Sequence, residues 1–145
     1  MKITSHAFSP GGIIPDKYSC KGENVNPQLE FSGTPDSTQS LALILDDPDA
    51  PNGTFTHWVI YNISPNVREI LESTREVPWM EAKNGAGEYK YMGPCPPAGI
   101  HRYYFKLYAL DVILDVKKVI DKITLLDAMK GHILEEAELM GRFSK

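Results

Sequence analysis

Residues 41–63 read LALILDDPDAPNGTFTHWVIYNI, and this stretch decides the fold. Two apolar runs, Leu41–Leu45 and Trp58–Ile63, flank a loop that is rich in Asp, Pro and Gly. Short runs of β-branched, aliphatic and aromatic residues favour strands over helices. Because both runs are almost continuously apolar, they predict two strands that are covered on both faces.

Outside this stretch, the aromatic run Tyr103–Leu110 predicts a further buried strand. The chain has 145 residues with 42% apolar and 23% charged side chains, which suits one hydrophobic core. Its 11 Gly and 11 Pro residues cluster in turns and long loops between the strands. The sequence therefore predicts a single loop-rich domain over residues 1–145.

The last quarter of the chain has a different pattern. Few Gly or Pro residues follow Gly99, and apolar residues recur at spacings of three and four. This periodicity predicts an amphipathic helix over Thr124–Phe143 that packs on the sheet, begun by a capping box of Thr124 and Asp127. A shorter helix is also expected around Val116–Asp121. Strands early and a helix late indicate an all-β fold with minor α content. The predicted stripe comprises Leu126, Met129, Ile133, Ala137 and Met140.

The charge balance argues against several classes of partner. With 15 basic and 19 acidic residues the net charge is −4, which gives no general attraction to nucleic acid or to anionic membranes. No apolar run approaches the ~20 residues that span a bilayer, and the first residues lack the apolar segment of a signal peptide. We therefore expect a cytoplasmic protein without stable membrane insertion.

The two cysteines, Cys20 and Cys95, lie far apart and lack CxxC spacing. This spacing indicates neither a zinc site nor a redox motif, so two reduced thiols are expected, with Cys95 as a small apolar filler. The sequence predicts no metal and no cofactor.

The first candidate site is the Asp46–Pro51 loop, which follows one predicted strand and precedes His57 at the start of the next. Prolines restrict the backbone, so this loop is expected to be rigid, and Ala50–Pro51 is a candidate cis peptide. A rigid loop can hold a carboxylate where a ligand needs it. The alternative is that an Asp in a Pro-rich turn only caps its own backbone.

The second candidate site is Gly93–Tyr103, a stiff loop that leads into the aromatic strand. Alternation along a strand places His101 and Tyr103 on one face and Arg102 on the other. Each histidine taken alone is equally well explained as a packing residue. Two rigid loops that each lead to a histidine favour a small anion site instead, because imidazoles donate and accept near neutral pH.

Both stretches resemble one known family. Asp47–Pro51 (DPDAP) followed by His57-Trp58, and Gly93–Phe105 (GPCPPAGIHRYYF), resemble the phosphatidylethanolamine-binding protein family, also called the Raf kinase inhibitor protein family, in its bacterial and archaeal branch. Pro15–Cys20 and Glu23–Pro27 resemble its N-terminal segment, and Gly131–Leu134 with Glu136–Leu139 resembles its terminal helix. The resemblance implies an antiparallel Greek-key β-sandwich with a C-terminal helix packed on the sheet, and a pocket for phosphate-like or carboxylate-like anions.

The resemblance also implies which residues line that pocket. By position in the motifs, these are Asp47, His57, His101 and Tyr103, with Pro97 and the backbone around Cys95 at the rim. Supporting roles fall to an ion pair between Asp49 and Arg102 and to Pro51 in the rigid loop.

These residues favour a non-enzymatic protein that binds a small phosphate, a phosphorylated head group or a carboxylate. The alternative is a hydrolase that uses Asp47 with His57 or His101 as an acid–base pair. The resemblance further suggests regulation of a partner kinase or protease through the pocket, and it is compatible with a homodimer.

Overall fold

The computed structural model describes residues 1–75 and 77–145, which form eight strands and one α-helix. The single α-helix, α1, spans Lys122–Met129, and a short 3-10 helix spans Asp16–Tyr18. The predicted class, mostly β with one helix, is confirmed. The strands are β1 (Lys2–Thr4), β2 (Leu29–Ser32), β3 (Ser40–Asp47), β4 (Phe55–Ile63), β5 (Glu69–Ile70), β6 (Met80–Glu81), β7 (Ile100–Leu110) and β8 (Ile133–Ser144).

The strands form two antiparallel sheets. The smaller sheet has the order β1-β2-β5, and the larger has the order β6-β4-β3-β7-β8. Every pairing between named strands is antiparallel. This order is compatible with Greek-key connections, which stay a prediction.

The central strand β3 is buried at all eight positions. On one face, Leu43 packs in an apolar core that includes Phe31 of the smaller sheet. On the other face, Ile44 packs in a second core that includes Leu125 and Met129 of α1. The larger sheet is therefore covered on both sides, which confirms the interpretation of the Leu41–Leu45 run.

The helix predicted over Thr124–Phe143 is wrong beyond Met129. The chain turns at Gly131, whose φ of +79° favours glycine, and returns as β8. This strand pairs with β7 along nearly its whole length. Leu139, Gly141 and Phe143 are buried at alternate positions, whereas Ile133 of the predicted stripe is 40% exposed. A strand forms because this period-two face enters the main core and the backbone completes the sheet.

The start of α1 also differs from the expectation. Asp121 is the N-cap, its carboxylate accepts a hydrogen bond from the Thr124 N–H at 2.9 Å, and the Thr124 hydroxyl accepts from the Asp121 N–H at 3.0 Å. The capping box thus lies three residues before the one predicted from Thr124 and Asp127. The short helix expected around Val116–Asp121 does not form; residues 116–118 form a turn, and Asp121 already caps α1. Across the described residues, no helix is long and apolar enough to cross a membrane.

Candidate functional site

The candidate site lies where three strands of the larger sheet meet. Because β3 is antiparallel to both β4 and β7, its C-terminal end lies beside their N-terminal ends. This topology brings Asp47 at the end of β3 together with His57 near the start of β4 and His101 near the start of β7. Three side chains that are distant in sequence thus line one cavity.

Two adjacent aspartates at the end of β3 lie on opposite faces of the larger sheet. Asp46 is 1% exposed, and its carboxylate lies 2.7 Å from Lys122 Nζ of α1 and accepts from the Thr56 hydroxyl at 2.9 Å. Asp47 is 3% exposed and lines the cavity. The alternation of side chains along a strand explains this division.

Asp47 is held by two hydrogen bonds. Its Oδ2 accepts from Nδ1 of His101 at 2.7 Å, and its Oδ1 accepts from the Asp49 backbone N–H at 2.8 Å. The second bond is a backbone cap of the kind expected for an Asp in a Pro-rich turn. Asp47 therefore has two roles: it caps the turn and it orients His101. With Nδ1 occupied, Nε2 is the nitrogen of His101 that is available to a ligand.

His57 is also oriented through Nδ1, which lies 2.7 Å from the carbonyl oxygen of Met92. Because a carbonyl only accepts, Nδ1 carries the proton, and Nε2 is left for the cavity. Burial lowers the pKa of His57, against the opposing effect of the Met92 carbonyl and the Asp47 carboxylate. The ring is therefore neutral near pH 7.

Tyr103 is fully buried between the two histidines. Its hydroxyl has no hydrogen-bond partner of normal geometry among the described residues. Burial raises the pKa of Tyr103 well above its usual value, and the nearby Asp47 carboxylate adds to this effect. The hydroxyl therefore stays protonated. The Asp47 carboxylate and the Cys95 backbone lie near it, but neither makes a hydrogen bond of normal geometry with it, which is rare for a buried hydroxyl.

The cavity has a volume of about 320 Å³. All six residues predicted to bind a ligand line it. Pro51, predicted as a supporting residue, lines it too, and the Ala50–Pro51 peptide is trans. Phe55 and Met92 form part of an apolar wall and were not identified from the sequence. Each lies beside one of the two motifs, and this position is the feature that could have indicated them. The predicted lining residues are Asp47, His57, Cys95, Pro97, His101 and Tyr103.

Asp49 and Arg102 form an ion pair beside the cavity and do not line it. Arg102 donates to the Asp49 carboxylate from Nε at 2.9 Å and from Nη2 at 2.8 Å, and its backbone N–H donates at 2.9 Å. These hydrogen bonds lower the pKa of Asp49 to about 2. The pair ties the Asp46–Pro51 loop to the start of β7 and so fixes two walls of the site.

The expectation of two reduced thiols is wrong. Cys20 and Cys95 form a disulfide, with their Cα atoms 5.5 Å apart, and both residues are exposed. Cys95 is therefore not a buried filler. The fold brings together two residues 75 positions apart, and sequence spacing alone gives no signal of this proximity.

The loops joined by the disulfide also touch through their backbones. The Cys20 N–H donates to the carbonyl of Pro94 at 3.1 Å. Gly93 lies against the backbone of Tyr18 and Ser19, where a Cβ atom would clash. This close approach explains why glycine opens the second motif, and it makes Cys20 part of the cavity wall.

Comparisons with known proteins agree with this geometry. The sequence profile of the phosphatidylethanolamine-binding protein family matches residues 4–144. The chain belongs to this family. A UPF0098 protein of Methanothermobacter thermautotrophicus is 45% identical over 100% of this chain and 99% of its own length. A UPF0098 protein of Chlamydia muridarum is 47% identical over the same shares.

Solved structures of this family superpose closely on the chain. A homolog of phosphatidylethanolamine-binding protein from Chlamydia trachomatis has 46% identity and a TM-score of 0.95, covering 99% of this chain and 97% of its own. Escherichia coli YbcL, described as a new member of the mammalian family, has 25% identity and a TM-score of 0.90, with coverage of 99% and 98%. The suspected family is thereby confirmed.

Proposed function

We propose that the protein binds a small oxyanion, either a phosphate group or a carboxylate, and does so without catalysing a reaction on it. The observation that carries this proposal is the unpartnered hydroxyl of Tyr103, which is fully buried and lies between two imidazoles that line the same cavity. A buried donor without an acceptor costs about 1–3 kcal/mol, and an anion oxygen would remove that cost.

The wall of the cavity supports the same ligand class. An apolar surround of Pro, Phe and Met side chains lowers the local dielectric constant, which strengthens hydrogen bonds to a bound charge. Asp47 carries a negative charge, but both of its oxygens already accept hydrogen bonds, one of them from His101. The carboxylate therefore acts on the ligand mainly through the imidazole that it orients.

Titration with inorganic phosphate and with phosphoethanolamine, followed by NMR of the imidazole signals, tests this function. We expect the signals of His57 and His101 to shift with saturation. His132, whose ring pairs with Asp111 at 2.8 Å on the surface, is the internal control and should not shift. Unchanged signals of His57 and His101 at millimolar ligand would contradict the proposal.

A hydrolase is the second candidate, and the hydrogen bond between Asp47 and His101 favours it. A carboxylate that orients an imidazole is the arrangement by which His acts as a general base. Turnover of an ester, phosphoester or peptide substrate that is abolished by His101→Ala would establish this alternative.

Regulation of a kinase or protease, and formation of a homodimer, stay predictions that affinity capture and sedimentation would test. A cytoplasmic location also stays a prediction. The Cys20–Cys95 disulfide counts against a cytoplasmic location, because disulfides persist mainly in oxidising compartments.

A further inference from the structure

The two histidines of the cavity share a feature that restricts how an anion can bind. Both rings have their Nδ1 committed, His57 to the Met92 carbonyl and His101 to the Asp47 carboxylate. In a neutral ring whose Nδ1 carries the proton, Nε2 has a lone pair and no hydrogen. A bare anion oxygen cannot form a hydrogen bond with such a nitrogen, so an anion oxygen placed at that Nε2 requires a proton between the two atoms.

His57 is the ring whose Nδ1 proton is bound to a carbonyl and not shared with a carboxylate. It is 5% exposed, it lies against the rings of Phe55 and Tyr103, and no carboxylate among the described residues is within hydrogen-bonding distance of it. Burial keeps its pKa below the ordinary value although Asp47 and Asp46 oppose that shift. His101, by contrast, already has a carboxylate at 2.7 Å.

The other ionisable groups around His57 cannot supply the proton. Asp47 from β3 accepts two hydrogen bonds, and the Tyr103 hydroxyl from β7 keeps its own proton because burial raises its pKa. The Asp49–Arg102 pair lies outside the cavity lining. The proton must therefore come from the ligand or from solvent.

We propose that the cavity binds its oxyanion together with one proton, which lies between an anion oxygen and Nε2 of His57. This inference rests on the proposed function and deepens it, because it selects oxyacids that bring a proton or permit its uptake. The negative charge of the ligand, added beside a buried ring, raises the pKa of His57 on binding. The complex contains the same number of protons whether this proton arrives on a hydrogen phosphate or is taken up from the solvent.

Sulfate is the most informative probe, because it does not titrate near pH 7 and any proton taken up must then reside on the protein. Calorimetric titration with sulfate in Tris and in Bis-Tris, two amine buffers of different ionisation enthalpy, gives the number of protons taken up. We expect about one proton near pH 7.5, and an affinity that falls about tenfold for each pH unit above the pKa of free His57. Phosphate, titrated in parallel, tests whether a ligand that brings its own proton binds more tightly at that pH.

Two variants locate the proton. His57→Gln offers an amide N–H that donates without titrating, so it should bind sulfate with no proton uptake and little pH dependence. His132→Gln, at the surface pair with Asp111, is the matched control and should behave like the parent protein. Long-range ¹H–¹⁵N spectra of the parent protein should show Nε2 of His57 become protonated when sulfate binds, which tests the assignment even if His57→Gln does not fold.

The outcomes separate the two proposals. Absence of binding by both sulfate and phosphate would overturn the proposed function and this inference together. Binding without proton uptake would overturn only this inference. Uptake that persists unchanged in His57→Gln, or an Nε2 of His57 that stays unprotonated in the complex, would overturn the assignment to His57.

Discussion

Tyr103 combines two roles that usually conflict. Its ring is fully buried and contributes to the main core, while its hydroxyl is left without a partner in the described residues. A residue selected only for stability would be phenylalanine, because the ring packs equally well and no polar atom is stranded. The hydroxyl is thus a cost to folding that a ligand can offset.

Replacing Tyr103 by phenylalanine should therefore move stability and affinity in opposite directions. We expect the free energy of unfolding in urea to stay equal or rise by about 1 kcal/mol, since a buried unsatisfied group is removed. We expect the affinity for phosphate to fall about tenfold, since one hydrogen bond to the anion is lost. Urea unfolding and calorimetric titration measure the two quantities.

Tyr61→Phe is the matched control. Tyr61 is 1% exposed, and its hydroxyl donates to the carbonyl of Val119 at 3.3 Å in the second core, on the other face of the larger sheet. This variant should lose about 1 kcal/mol of stability and keep its affinity. If Tyr103→Phe behaved like Tyr61→Phe, the hydroxyl would be structural and not a ligand donor.

At the scale of elements, the turn between α1 and β8 decides the structure of the last quarter. Gly131 has a φ of +79°, and nothing lies within 4 Å of a Cβ placed on it. The demand for glycine here is thus conformational and not steric. This residue lies in the turn between the end of α1 at Met129 and the start of β8 at Ile133.

Gly131→Ala should lower the free energy of unfolding by about 1–2 kcal/mol, the cost of an L residue in the left-handed region. Gly131→Asn should lose less, because asparagine tolerates this region better. Thermal or urea unfolding of the two variants measures the difference. Equal stability of the alanine variant and the parent protein would show that the turn adopts another conformation.

The same segment shows where sequence interpretation succeeds and where it fails. The apolar runs of β3 and β4 predict their own strands because burial on both faces leaves a continuous pattern. In β8 the buried face consists of Leu139, Gly141 and Phe143, and the Ile14 and Phe8 side chains lie where a Cβ of Gly141 would sit. A glycine carries no apolar signal, so spacings of three and four around it resembled a helix.

For the site, the motifs predict which residues line the cavity because each motif keeps its members within a few positions. The disulfide and the apolar wall depend on contacts between distant loops. Cys20 and Cys95 are 75 positions apart, and no local pattern in the sequence encodes their approach.

At the scale of the whole molecule, the disulfide should be a main source of stability. Closing a loop of this length restricts the unfolded chain and contributes about 2–4 kcal/mol. The double variant Cys20→Ser/Cys95→Ser should lose this amount in urea unfolding, with a larger denaturant slope because its unfolded state is more extended.

A dithiol reductant supplies the control for that variant. It should destabilise the parent protein by a similar amount and leave the double variant unchanged. Equal stability of the parent protein with and without reductant would mean that backbone contacts between the two loops, such as the Cys20 N–H to Pro94 bond, suffice.

The disulfide also makes the chain a covalent ring with two tails. Residues 20–95 form the ring, which contains β2 to β6, while β1 lies on one tail and β7, α1 and β8 lie on the other. A protease that cuts the exposed loop at Gly85–Glu88 would therefore release no fragment. The cut protein would gain the mass of one water molecule, migrate as a single species without reductant, and separate into two pieces only when the disulfide is reduced.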